Sequence, residues 1–115
     1  MKANELRIGN KVSFEGSIVT VNTISDDEVT FSDYASLDYP QIEDISGIEL
    51  TEEWLVRFGF TLINRVDYES NCGVLELEAT DAGYLFDSRI IIKSVHSLQN
   101  LYFALTGEEL KTKQA

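Results

Sequence analysis

Apolar residues in this chain come in short alternating runs bounded by turn residues, and that pattern restricts it to sheets of short strands. Val74-Leu75-Glu76-Leu77-Glu78-Ala79 is the clearest run: a period of two places Leu75, Leu77 and Ala79 on a buried face and Glu76 and Glu78 in water. Near the N-terminus, Leu6 and Ile8 lead to Gly9-Asn10. Val12 and Phe14 then alternate with polar neighbours up to a turn at Glu15-Gly16. Residues 17–24 are rich in β-branched side chains, which fit a pleated surface, and Ser25-Asp26-Asp27 closes that run before Glu28-Val29-Thr30-Phe31 opens another. Three short strands with tight turns predict a small, strongly curved antiparallel sheet, open to closure as an SH3-like barrel.

Residues 32–46 are less regular. They carry the only proline, Pro40, with Tyr34 and Tyr39, a composition expected of a surface loop tacked down by aromatic contacts. Residues 45–50 read as a short strand completing the first sheet. Thr51 is then placed as the N-cap of a helix with Glu52 and Glu53 in its first turn, where unpaired backbone N–H groups favour negative charge. Trp54, Leu55 and Phe58 share one face, and Gly59 suits the helix end. Residues 61–68 read as one strand with Leu62, Asn64, Val66 and Tyr68 on a common face, opening a four-stranded antiparallel meander. Its later strands are 74–79, 84–86 and 89–93, with turns at 69–73 and 80–83. A last helix is predicted over 95–105, with Ser94 as cap, Gly107 past its end, and Val95, Leu98, Tyr102 and Leu105 as the stripe covering the meander. The tail after it, 108–115, is polar except for Leu110 and Ala115; its first residues are expected to dock and its last few to fray.

The fold class is therefore α+β in a single compact domain, 1–115. A strand-rich subregion, 1–50, is followed by a helix-meander-helix subregion, 51–115. The 43% hydrophobic content, with six Phe, five Tyr and one Trp, supplies a core without a disulfide or a metal.

Charge narrows function more than any motif does. Nine Lys and Arg stand against 20 Asp and Glu, a formal net charge of −11. No basic residue lies between Lys11 and Arg57, an interval that holds Glu15, Asp26, Asp27, Glu28, Asp33, Asp38, Glu43, Asp44, Glu49, Glu52 and Glu53. Such a surface repels phosphate backbones, so direct nucleic-acid binding is disfavoured, and a basic protein partner is the macromolecule it suits. A nucleic-acid-associated role would need Lys2, Arg7 and Lys11, with Arg57 or Arg89, gathered into one patch, or the acidic surface acting as a DNA mimic on a basic partner. The longest aliphatic run, Ile90-Ile91-Ile92, is far short of a membrane span, and the N-terminus lacks the apolar stretch of a signal peptide. A cytoplasmic location is expected, with one cysteine and no framework of disulfides.

Catalytic motifs are sparse. His96 is the only histidine and Cys72 the only cysteine, and an enzyme would require folding to bring them together with an acidic group. No glycine-rich phosphate loop and no metal-ligand spacing occurs, so no cofactor and no metal is expected. What remains is an interaction module. Tyr34 and Tyr39 are its aromatic contacts in the acidic loop, and His96, Gln99 and Asn100 form a polar edge on the last helix.

Three segments, MKANELRIGN at the start, IELTEEWLVRFGF at 48–60 and IKSVHSLQNLYFALTGEEL at 92–110, resemble a group of small uncharacterised proteins of Bacteroidetes genomes and their phages or mobile elements. The resemblance implies a bacterial or phage origin and brings no reaction, cofactor or catalytic residue with it. The expectation is a noncatalytic, acidic protein-interaction module.

Overall fold

The first hairpin forms where Glu15-Gly16 separates two apolar runs. With φ of 50° and 80°, both residues are left-handed, which matches the twist of the strands they join and which Gly16 adopts without a Cβ penalty. The computed structural model describes residues 3–25, 28–33, 40–70, 73 and 75–112; Tyr34, Tyr39 and Cys72 lie outside the described residues. Strand β1 (Lys11–Phe14) pairs with β2 (Ser17–Ser25) in the register Val12 to Val19 and Phe14 to Ser17. β3 (Glu28–Phe31) continues the sheet across a bulge between Val21 and Thr23, and β4 (Ile45–Ser46) pairs with Ser13 and Phe14 on the other side of β1. The order is β3-β2-β1-β4. Val29 N–H donates to Pro40 O at 3.1 Å, so residues 40–46 run from the β3 edge to the β1 edge and curl the sheet over Val12, Phe14, Val19, Val21, Ile42 and Ile45. The strand expected over 45–50 is confined to its first two residues.

Helix α1 (Glu52–Arg57) starts as its sequence predicts: Thr51 Oγ1 accepts from Trp54 N–H at 3.4 Å. Its two turns persist because Trp54 and Leu55 are buried. The second sheet is a meander of β5 (Thr61–Leu62), β6 (Asp67–Glu69), β7 (Glu76–Thr80), β8 (Gly83–Phe86) and β9 (Ile90–Ile92), paired in chain order. It therefore has five strands where the sequence pattern predicts four. The expected 61–68 strand breaks at Asn64, whose Oδ1 accepts from Val66 N–H at 3.2 Å and Asp67 N–H at 3.1 Å, with Nδ2 donating to Asp67 at 2.6 Å. Asparagine here offers the backbone a turn in place of a ladder. Leu62 and Val66, expected to share one face with Tyr68, are consequently exposed, and only Tyr68 of that set enters the core.

Helix α2 (Val95–Thr106) ends on Gly107, left-handed at φ 74°. Ser94 occupies the N-cap position but makes no capping bond; its hydroxyl engages that of Ser97 at 2.7 Å. The buried residues are Val95, His96, Leu98 and Gln99, all in the first half of the helix. Its last turn runs past the core, so Leu105, placed by the periodicity in the apolar stripe, is exposed. Val95 and Leu98 join Leu50, Leu55, Leu75 and Leu77 in a second core, which the chain revisits at Leu110. No helix among the described residues is long and apolar enough to cross a membrane.

Leu77 is fully buried whereas Ile18 is half exposed, so Leu77→Ala is expected to lower unfolding free energy by about 2–5 kcal/mol and Ile18→Ala by less than about 0.5 kcal/mol. Urea denaturation of the two variants checks this.

Candidate functional site

Two regions collect polar chemistry: the seam between the sheets and the outer face of the meander. In the seam, the face of α2 read as an open polar edge is turned inward. His96 and Gln99 are 5% and 2% exposed, and Asn100 is half-buried. Gln99 Oε1 accepts from Lys11 N–H at 2.8 Å, and its Nε2 donates to Gly9 O at 3.1 Å. These are the groups a neighbouring strand would bond, on the edge of β1 that the short β4 leaves uncovered. A side-chain amide thus stands in for a strand. Asn100 Nδ2 donates to Glu5 O at 2.9 Å, while its Oδ1 accepts from Asn10 Nδ2 at 2.9 Å and from Arg7 at 3.1 Å. The Arg7 guanidinium also pairs with Glu109 and lies over the Phe103 ring, 3.9 Å from its centroid.

Asn10, wholly buried, has no prominence in the sequence, where Gly9-Asn10 reads as a turn; its Oδ1 accepts from Arg7 N–H at 2.7 Å. Beside the seam, a cleft of about 340 Å³ is lined by Lys11, Thr20, Phe58, Gln99 and Lys111. Of the basic residues proposed as a nucleic-acid patch, three are engaged individually, Arg7 as above, Lys11 with Thr20 Oγ1 at 2.6 Å and Arg57 with Glu53 at 2.7 Å, while Arg89 is exposed in the turn between β8 and β9. Lys2 lies outside the described residues, as do Tyr34, Tyr39 and Cys72.

The outer face of the meander is acidic. Register places Asp67 directly opposite Glu78 and Glu69 opposite Glu76. Like charges so placed destabilise a sheet. Among the described residues no Lys or Arg forms an ion pair with any of the four. Glu78 lies opposite Leu85 on the next strand and Leu85 opposite Ile91 on the last, so one transverse row passes from two carboxylates to two apolar side chains. A shallow concavity of about 360 Å³ follows it, lined by Asp67, Glu76, Glu78, Leu85, Phe86 and Asp87. A second, of about 400 Å³, lies where Glu49 and Glu52 meet the β7–β8 turn. Burial first, and the nearby Glu52 carboxylate second, push the Tyr68 and Tyr84 phenols above their ordinary 10.0. No group of three or more His, Cys, Asp or Glu among the described residues is arranged to hold a metal ion.

No protein-family model matches the chain, and neither a curated protein nor a solved structure matches it.

Replacing Gln99 by leucine keeps the bulk but strips Lys11 N–H and Gly9 O of their partner. A loss of about 1–3 kcal/mol is expected, from two part-buried backbone groups left unsatisfied. Chemical denaturation measures the loss, and hydrogen exchange at the Lys11 amide localises it.

Proposed function

We propose that this protein is a noncatalytic interaction module of bacterial or phage origin, whose acidic meander face receives a basic segment of a protein partner. The observation that carries the reading is the pair of directly opposed carboxylates, Asp67 with Glu78 and Glu69 with Glu76. Among the described residues no Lys or Arg forms an ion pair that offsets their repulsion, and a Lys- or Arg-bearing partner would relieve it. Leu85 and Ile91 at the end of the same row give that partner an apolar contact beside the charge, the combination from which specific recognition is built. The net charge of −11 supports the choice, since it draws a basic protein and repels a nucleic acid.

Burial supports the noncatalytic part. His96, the only histidine, is 5% exposed, so a substrate would have to part α2 from its neighbours to reach the ring. Gln99 and Asn100 direct their amides to the chain itself, which leaves the meander face as the better candidate surface.

The double variant Glu76→Gln, Glu78→Gln is expected to be more stable than the parent by about 0.2–1 kcal/mol for each opposed pair relieved. It should also fail to retain basic proteins that the parent captures from a bacterial lysate at low salt. Retention lost both in the variant and at high salt supports the reading. The same basic proteins held equally by parent and variant would sink it. Nucleic-acid-binding proteins dominating the retained set would make the face a DNA mimic.

A further inference from the structure

His96 occupies the first turn of α2, and its Nδ1 is the one buried side-chain nitrogen or oxygen among the described residues with no hydrogen-bond partner. The ring lies against Gly47: a Cβ there would stand 2.9 Å from His96 Cε1 and 3.4 Å from Nδ1. Only glycine lets the segment after β4 approach α2 so closely. On the same side of the helix, three and four residues on, Gln99 and Asn100 make the bonds that tie α2 to β1 and to Glu5. The imidazole is therefore wedged into the seam beside the contacts that join the two sheets.

A neutral imidazole can leave Nδ1 as a bare acceptor at modest cost. Protonation makes both ring nitrogens donors and adds a charge, and Nδ1–H then has no acceptor in place. Burial depresses the ionisation below the ordinary 6.5, and the unpaired N–H groups of the helix N-terminus act in the same direction. Of the charged groups on the surrounding elements, Glu5 favours the proton and is outweighed. Glu49 belongs to the segment after Gly47. Lys11 of β1 and the preceding Arg7 are both cations, held by Thr20 and by Glu109. The first turn of α2 carries no acidic residue.

We propose that His96 is a proton-operated latch on the seam: neutral, it packs against Gly47 and lets α2 clamp the first sheet to the second; protonated, it draws water to Nδ1 and loosens the hold of Gln99 on β1. The direction follows from linkage. Above about pH 6.5 both folded and unfolded chains keep the ring neutral and the latch closed. As pH falls from 6.5 through the lower folded-state value, the unfolded or opened chain takes up the proton first, and stability is lost across that window.

The experiment is a titration from pH 7.5 to 5 with three readings: the His96 imidazole by NMR, the Lys11 and Leu77 amides by hydrogen exchange corrected for intrinsic rate, and the urea stability of the parent against His96→Gln. The imidazole is expected to titrate below 6.5, and Lys11 exchange should accelerate in step with it and by more than exchange at Leu77, which follows only the fall in global stability. The folded-to-unfolded ratio of the parent should fall relative to the variant by up to about tenfold per pH unit. Titration at or above 6.5, as an ion pair of His96 with Glu5 would produce, overturns the latch, and so do parallel stability profiles. Should His96→Gln not fold, the imidazole and Lys11 readings on the parent decide the matter alone.

Discussion

The amide of Gln99 bonded to Gly9 O and Lys11 N–H is the contact on which the arrangement of the two sheets turns. β1 is covered on one side by β2, but β4 reaches only Ser13 and Phe14 on the other, leaving the start of the strand with backbone groups that need partners. Buried backbone groups do not stay unpaired. A helix from the second half of the chain meets the need with one side chain, and in doing so fixes where the first sheet sits relative to the second. The two cores are separate clusters of side chains, so apolar contact within each does not by itself set the angle or register between them. Directional bonds from Gln99, Asn100 and Asn10 do.

Charge is divided accordingly. The seam is built mainly from neutral amides, with the Arg7 and Glu109 ion pair at its partly exposed margin. Neutral groups can be buried at the cost of satisfying their hydrogen bonds, whereas buried ions carry a desolvation penalty that often exceeds their attraction. The carboxylates are displaced to the surface, where water and salt screen them. On the meander face they are nonetheless set opposite one another in a register fixed by the inward-facing Tyr68 and Leu77, since shifting β6 by one residue would turn Tyr68 outward. The core decides the register, and the outer face inherits the repulsion.

Much of this was legible in the sequence, for physical reasons that also explain the failures. The period of two in Leu75-Glu76-Leu77-Glu78-Ala79 identified both a strand and its faces, because burial of one face overrides other preferences. Thr51 marked its helix because its hydroxyl has a local partner, Trp54 N–H. Residues 61–68 misled because alternation cannot reveal that Asn64 will satisfy two backbone N–H groups by itself and end the ladder. Leu105 misled because helical periodicity gives a direction around the axis but not the point along it where the core stops. The seam was the hardest to see: Asn10 is 90 residues from its partner Asn100, as Gln99 is from Gly9, and no local pattern couples them.

One signal was nevertheless present. In a chain where 25% of residues are charged, α2 contains no Asp, Glu, Lys or Arg. A helix with one face in water ordinarily carries charge on that face. Its absence beside His96, Gln99 and Asn100 means that the polar face is not a solvated one, and amides spaced three and four apart without charges are the composition of a buried joint. A joint built from leucines would bury as much surface but could slide, because apolar contact has no preferred register. Amides bonded to particular backbone groups hold one position and lose their partners in any other. His96 belongs to this joint by position but not by bonding: its Nδ1 is the group the joint leaves unsatisfied. A joint whose other polar members hold it in one register is therefore most easily loosened at that nitrogen.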